Sequence, residues 1–300
     1  MMTAAMNAAG ERFTLPAPAS FKISVSADAP ADAFSGVFPL KNSLGPLTAV
    51  RAFARDGSLL FDGIVDEQDE CSCGGLLLTL KARGRAALLL DSEALPQSYE
   101  YPSLPIIFAR HAAPYGFTGY LGDEKGFAGA LEVEKGMSEW EAAALFCSRF
   151  LKTVPRVTGT VFDASGAVPE DLTVFGAGGA RYVSLTLKRR YSDLLSEILC
   201  RTEDGGAYLR VAEDAEAESY GIQRKRYLSA AGTDVAKLLK NAEKRFVEAV
   251  LDCAGEPPAP LYAKAEVRDP VLGKLEGMFV AQTEYLLDSG GEHCRVTLRK

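Results

Sequence analysis

Asp91 and Glu93 are the residues best placed by spacing for acid–base chemistry. Two carboxylates facing a cleft can divide the roles of acid and nucleophile between them. Here they flank Ser92, and in an extended segment both would point to one face with no partner in view. Cys71-Ser72-Cys73 is the one close cysteine pair. Zinc sites bring two such pairs, or a pair with two histidines at fixed spacing. The two histidines, His111 and His293, stand far apart, so no metal site and no cofactor is expected. Gly176-Ala177-Gly178-Gly179 follows an apolar run but lacks the dinucleotide spacing, and reads as a turn. The sequence holds no Gly-x-Ser-x-Gly elbow, no His-Glu-x-x-His and no Gly-x-x-x-x-Gly-Lys-Ser/Thr. The residues point away from an enzyme.

Elements that could position such groups are numerous, because 300 residues exceed what one ordinary core needs and imply two or three domains. Hydrophobic residues at 47% and charged residues at 24% are globular values and exclude wholesale disorder. A formal charge of −7 disfavours a general nucleic-acid role, which needs concentrated basic surface. No basic, apolar leader marks Met1 to Gly10, and no run nears eighteen uninterrupted apolar residues. A cytoplasmic start and no membrane span are expected. The six cysteines then read as free thiols, four of them buried as small apolar residues, without a disulfide framework.

Along the chain, residues 1–19 are Ala- and Pro-rich and read as a loose leader. Phe21, Ile23 and Val25 alternate with polar neighbours, the period of a half-buried strand. Strands are expected over 48–54, 59–66 and 76–83. Asp56-Gly57 closes a hairpin between the first two, because glycine reaches positive φ without steric cost. Residues 20–92 thus suggest a first small antiparallel barrel or sandwich.

Residues 93–178 read as a mixed α/β region. Ser103 begins a short helix, and Ser138 with Glu141 forms a capping box ahead of a clearer one. Trp140 falls on its apolar face and reads as a core anchor. Residues 179–300 read as a second small barrel with helices. A helix is expected from Ser192 to about Cys200 and another from Thr233, whose stripe is Val235, Leu238, Leu239, Ala242 and Phe246. Glu213 to Glu218 reads as a solvated loop, and strands are expected over 247–251, 261–267, 277–285 and 294–298.

Phe61-Asp62-Gly63-Ile64-Val65-Asp66 leads into Leu78-Thr79-Leu80-Lys81-Ala82-Arg83-Gly84-Arg85. Leu88-Leu89-Leu90-Asp91-Ser92-Glu93-Ala94 and Tyr115-Gly116-Phe117 follow. In this order the segments resemble the baseplate hub proteins of contractile phage tails and phage-like particles. Gly277 to Tyr285 and Cys294 to Leu298 are similar to the last hairpin of that family's second barrel. The resemblance implies an α+β, mainly β fold with two small tail-tube-like antiparallel β-barrels and a mixed α/β region between them. It implies a homotrimer whose six barrels form a ring joining the tail tube to the central spike. The implied partners are the tube-end, spike and tape-measure proteins, and the implied location is the bacterial host cytoplasm during assembly, then the virion tail. Arg83, Arg85, Asp91, Tyr99 and Tyr115 would make the inter-domain or subunit contacts. The chain is short for such hubs and carries no lysozyme or peptidase appendage. Two alternatives remain open: a receptor- or carbohydrate-binding β-barrel module using Tyr99, Tyr101, Tyr115 and Phe117, and a carboxylate-based hydrolase.

Overall fold

Period-two burial organises the long strands in the computed structural model, which describes all residues except 73, 203–204, 230–234, 236–237, 240–241 and 243–245. Two units separate. The first comprises Met1–Pro169, Gly255–Pro257 and Gln282–Cys294, and the second Glu170–Ala254, Pro258–Ala281 and Arg295–Lys300.

The first unit begins with β1 (Met2–Asn7) and β2 (Arg12–Thr14), where a loose leader was expected. Thr3 and Ala5 alternate inward, and β1 pairs antiparallel with β5 (Leu47–Phe53) over six residues. Small side chains that look featureless in sequence become a strand once a neighbour supplies the ladder. With β3 (Ser20–Ser26), β4 (Ala33–Leu40), β6 (Leu59–Ser72) and β7 (Leu76–Gly84), the order is β3-β4-β7-β6-β5-β1-β2. Phe21, Ile23, Phe34, Phe38, Phe61, Leu78 and Leu80 fill the inner face, and Phe34 stacks on Phe61 at 5.4 Å. Each such side chain contributes about 1.5–3 kcal/mol on burial. The Asp56-Gly57 hairpin is present, with Gly57 at φ +86°.

A helical subregion follows: α1 (Ala86–Leu90), β8 (Gln97–Tyr99), α2 (Leu104–His111), a 3-10 turn (Ala113–Tyr115), β9 (Gly119–Leu121), β10 (Leu131–Val133) and α3 (Glu139–Phe146). Ser138 and Glu141 complete both halves of the capping box on α3. A π turn (Cys147–Leu151), β11 (Arg156–Thr158) and β12 (Val161–Asp163) close the subregion. Trp140 is buried and meets Phe162 edge-on at 6.1 Å, inside a core that also holds Leu89, Leu104, Ile107 and Phe146.

The second unit contains β13 (Leu172–Gly176), β14 (Ser184–Arg189), β15 (Glu197–Arg201), β16 (Tyr208–Glu213), α4 (Ala215–Ser219), β17 (Lys225–Leu228), β18 (Val247–Ala254), β19 (Lys264–Asp269), the first part of β20 (Gly273–Asp288) and the end of β21 (Gly291–Arg299). The residues from Ser192 to Cys200 do not form the expected helix. Ile198 and Cys200 are buried two apart, and β15 lies between β16 and β17, so sheet pairing overrides local helix propensity. Glu213 to Glu218 is not a plain loop either. Asp214 accepts hydrogen bonds from the Glu216 and Ala217 N–H groups and starts α4, with Ala217 buried. The helix expected from Thr233 lies largely outside the described residues.

Neither unit closes into the expected barrel among the described residues. The first sheet runs from the second part of β20 through β3 to a three-residue edge at β2, and no pairing joins β2 back to the start. The second runs β14-β18-β21-β20-β19-β13, with β13 parallel to β19 and unpaired with β14. Closure needs the edge strands to pair with one another in a staggered register, and among the described residues the three-residue β2 pairs with β1 alone. Cys147, Cys200, Cys253 and Cys294 are buried thiols outside any disulfide, whereas Cys71 is disulfide-bonded, contrary to the free thiol expected there.

Candidate functional site

Gly63 explains why Phe61 to Asp66 has its pattern. Gly63 lies opposite Gly84 across β6 and β7, and a Cβ on Gly63 would stand 2.2 Å from the Arg83 carbonyl oxygen. The close approach brings the acidic residues of β6 beside the basic corner ending β7. Asp62 accepts from Arg85 Nε at 2.9 Å and from Arg51 Nε at 3.0 Å, with its carboxylate 5% exposed. Burial pushes this carboxyl up, but the Arg85 and Arg51 hydrogen bonds outweigh it and hold it below the ordinary range.

Asp66 sits where the β6–β7 register shifts between Val65 and Glu67, the mark of a bulge. A bulge re-aims the side chain it carries. Asp66 accepts two hydrogen bonds from Arg83, at 2.8 and 3.0 Å, and Asp91 at the end of α1 accepts two more, at 2.6 and 3.1 Å. The Arg83 guanidinium is thereby held well above its ordinary range, through its hydrogen bonds to Asp66 and Asp91. The fork fastens α1 to the sheet in an orientation that only a planar, multi-donor cation can hold.

The two tyrosines meet through residues that the sequence reading left aside. The Tyr99 hydroxyl lies 2.9 Å from His111 Nε2, and His111 Nδ1 lies 2.5 Å from Glu139 Oε2. Tyr115 donates to the other Glu139 oxygen at 3.0 Å. Burial raises both tyrosine hydroxyls above their usual range, so they remain donors at neutral pH. One tautomer satisfies every member: Tyr99 donates to Nε2, and Nδ1–H and Tyr115 both donate to Glu139. His111 is 1% exposed and both ring nitrogens are engaged by protein atoms.

The structure thus joins Arg83 with Asp91, Arg85 with Asp62, and Tyr99 with Tyr115 across His111 and Glu139. Sequence reading missed His111 and Glu139 as partners. The signal was Glu139 in the first turn of a helix whose capping box was legible, beside the buried Trp140. Asp91 and Glu93 do not converge: Asp91 serves Arg83, while Glu93 accepts from Gly136 N at 3.1 Å and faces Lys135. The aromatic platform of a binding module is likewise not assembled. Tyr99 and Tyr115 are tied into the polar network, Phe117 is buried, and only Tyr101 is open to solvent. No helix among the described residues is long and apolar enough to cross a membrane.

The fold that carries these clusters is similar to that of solved phage tail proteins. A tail protein from Neisseria meningitidis superposes with a TM-score of 0.76 at 16% identity, over 100% of this chain and 96% of its own. The prophage MuSo2 43 kDa tail protein from Shewanella oneidensis gives 0.76 at 14% identity, over 99% and 97%. The Escherichia coli c3393 protein, a type VI secretion system component described as similar to the T4 phage tail proteins gp27 and gp5, gives 0.58 at 8% identity, over 94% and 73%. No protein-family model and no curated protein sequence matches the chain.

Proposed function

We propose that this chain is a structural baseplate hub of a phage or phage-like contractile tail, forming a trimeric ring that joins the tail tube to the central spike. The observation that carries the reading is full-length likeness, end to end in both chains, to two tail proteins. The likeness of the type VI component to gp27 and gp5 favours the region where tube meets spike. Each β unit supplies one tube-like element, so three copies present six to a six-fold tube and three to a three-fold spike. The partners are the tube-end protein, the spike and the tape-measure protein. The protein is assembled in the host cytoplasm and ends in the tail of the particle.

In this reading the chain is not an enzyme. Its best acid–base groups are consumed internally: His111 by Tyr99 and Glu139, and Asp91 by Arg83. Arg83, Arg85 and Asp91 act as rigid joints that hold α1 to the sheet, and Tyr99 and Tyr115 close the brace between α2 and α3, so that subunit contacts meet a fixed surface. Light scattering across a concentration series tests the reading. A species near three times 32 kDa supports the ring, whereas a monomer that stays monomeric in the presence of a purified spike counts against it.

A further inference from the structure

One hollow in the first unit is out of electrostatic balance. The outer-facing residues of β1, β2 and β5 run in register: Ala4 opposite Arg51, Met6 opposite both Arg12 and Ala49, and Arg51 opposite Asp62. The small Ala4 and Ala49 leave a depression of about 280 Å³, lined also by Met6, Phe53 and the arginines Arg12, Arg51 and Arg85. Asp62 is the one carboxylate that meets Arg51 and Arg85 among the described residues, and Arg12 makes no ion pair among them. Two positive charges are therefore uncompensated around an apolar floor, in a chain of net charge −7.

Two other hollows that hold cations are balanced. The one lined by Lys22, Lys81 and Arg83 has their partners Glu284, Glu67 and Asp66. The one beside Arg268 and Lys274 has Glu266, which pairs with both. An unbalanced cationic rim over apolar surface selects a ligand that is both acidic and apolar.

This chain exposes such a segment. Val168-Pro169-Glu170-Asp171-Leu172 is irregular up to the first residue of β13, with Val168 48% and Leu172 55% exposed. Glu170 and Asp171 are exposed and have no charged partner among the described residues. Pro169 biases Val168 toward an extended backbone, the form a shallow groove accepts.

We infer that the Val168–Leu172 segment of one copy seats in the Arg12/Arg51/Arg85 hollow of a second copy, its carboxylates on the guanidinium rim and its apolar side chains on the floor. The two surfaces differ, so the contact is heterologous, and its repetition makes a ring when the rotation between copies closes, as the three-copy reading requires. It deepens the ring reading above and rests on it for the number of copies. Five residues cover far less than the roughly 800 Å² per partner of a stable interface, so this is one part of a larger contact.

The test uses a labelled peptide of residues 167–173 in fluorescence anisotropy with the full chain, alongside light scattering of full-chain variants. Saturable binding that weakens about tenfold or more with Arg12→Glu, and with the peptide changed at Glu170→Gln and Asp171→Asn, supports the contact. Arg12 and the 170–171 pair are exposed, and thermal melts of the variants check that each still folds. Weakened self-association in Arg12→Glu and in Glu170→Lys/Asp171→Lys, recovered when all three changes share one chain, supports it further. A peptide that does not bind, or binds the wild type and Arg12→Glu alike, overturns it. A trimer that persists in both variants also overturns this contact while leaving the ring reading intact. If the full chain stays monomeric with spike present, the ring reading fails and the peptide result alone decides the contact.

Discussion

Glu139 and His111 are locked together inside the first unit, Oε2 to Nδ1 at 2.5 Å, with a tyrosine hydroxyl closing each end of the pair. In a cleft this arrangement would be an acid–base dyad. Buried and fully engaged, it is a brace between α2 and α3, and its energetics are those of a satisfied polar network.

Removing one member leaves others unpaired. Glu139→Gln retains the size but turns one accepting oxygen into a donor facing a donor, at a cost of roughly 1–3 kcal/mol. Tyr115→Phe costs about 1 kcal/mol, and Tyr101→Phe, at an exposed site, costs nothing measurable. Thermal melts followed by the fluorescence of Trp140, the single tryptophan, check the order of the three. Equal melting temperatures for all of them would count against the brace.

The glycine at the heart of the β6–β7 crossing gives a sharper expectation. Gly63→Ala drives a methyl group into the Arg83 carbonyl and the Phe61 ring. A loss of roughly 2–4 kcal/mol follows, because neither backbone nor packed ring can retreat cheaply. Gly57→Ala, where positive φ is the only obstacle and nothing lies within 4 Å, costs about 1 kcal/mol. Urea midpoints at constant slope measure both.

Asp62 tests the ion-pair joint. Asp62→Asn leaves Arg85 with a weaker partner in a largely buried position, and the expected loss at pH 7 is about 2 kcal/mol. Because the folded carboxyl lies below its ordinary range, its contribution is present above the unfolded pKa near 4. It fades as pH falls further, through the folded value. The gap between wild type and variant should therefore narrow steadily below pH 4, as unfolding midpoints taken at pH 7, 4 and 2.5 would show.

Asp32 has the opposite sign. Burial pushes its carboxyl up to about 6, so ionising it costs folding free energy. That stability is full below the unfolded pKa near 4 and is lost as pH rises through 6. Asp32→Asn should stabilise the protein by roughly 1–2 kcal/mol at pH 7.5 and by almost nothing at pH 3.5. A variant with the same shift at both values would show that Asp32 is not the group responsible.

Much was legible in residues whose signals are local. Asp56-Gly57 forms its hairpin because positive φ is a property of the glycine itself, and Ser138 with Glu141 caps α3 because both bonds span one turn. Phe21, Ile23 and the apolar residues of β7 declare their strands by alternation, and Trp140 declares a core position by its place on a helix face. What only the tertiary structure decided depends on partners distant in sequence. β1 and β15 are strands because β5, β16 and β17 lie beside them, and among the described residues the path ends at the three-residue β2. Asp66 reaches Arg83 through a bulge that no spacing in β6 announces. His111 finds Glu139 twenty-eight positions away only when α2 packs against α3. Local conformational preference is written residue by residue, whereas pairing, register and the satisfaction of buried polar groups are settled when separate segments exclude water together.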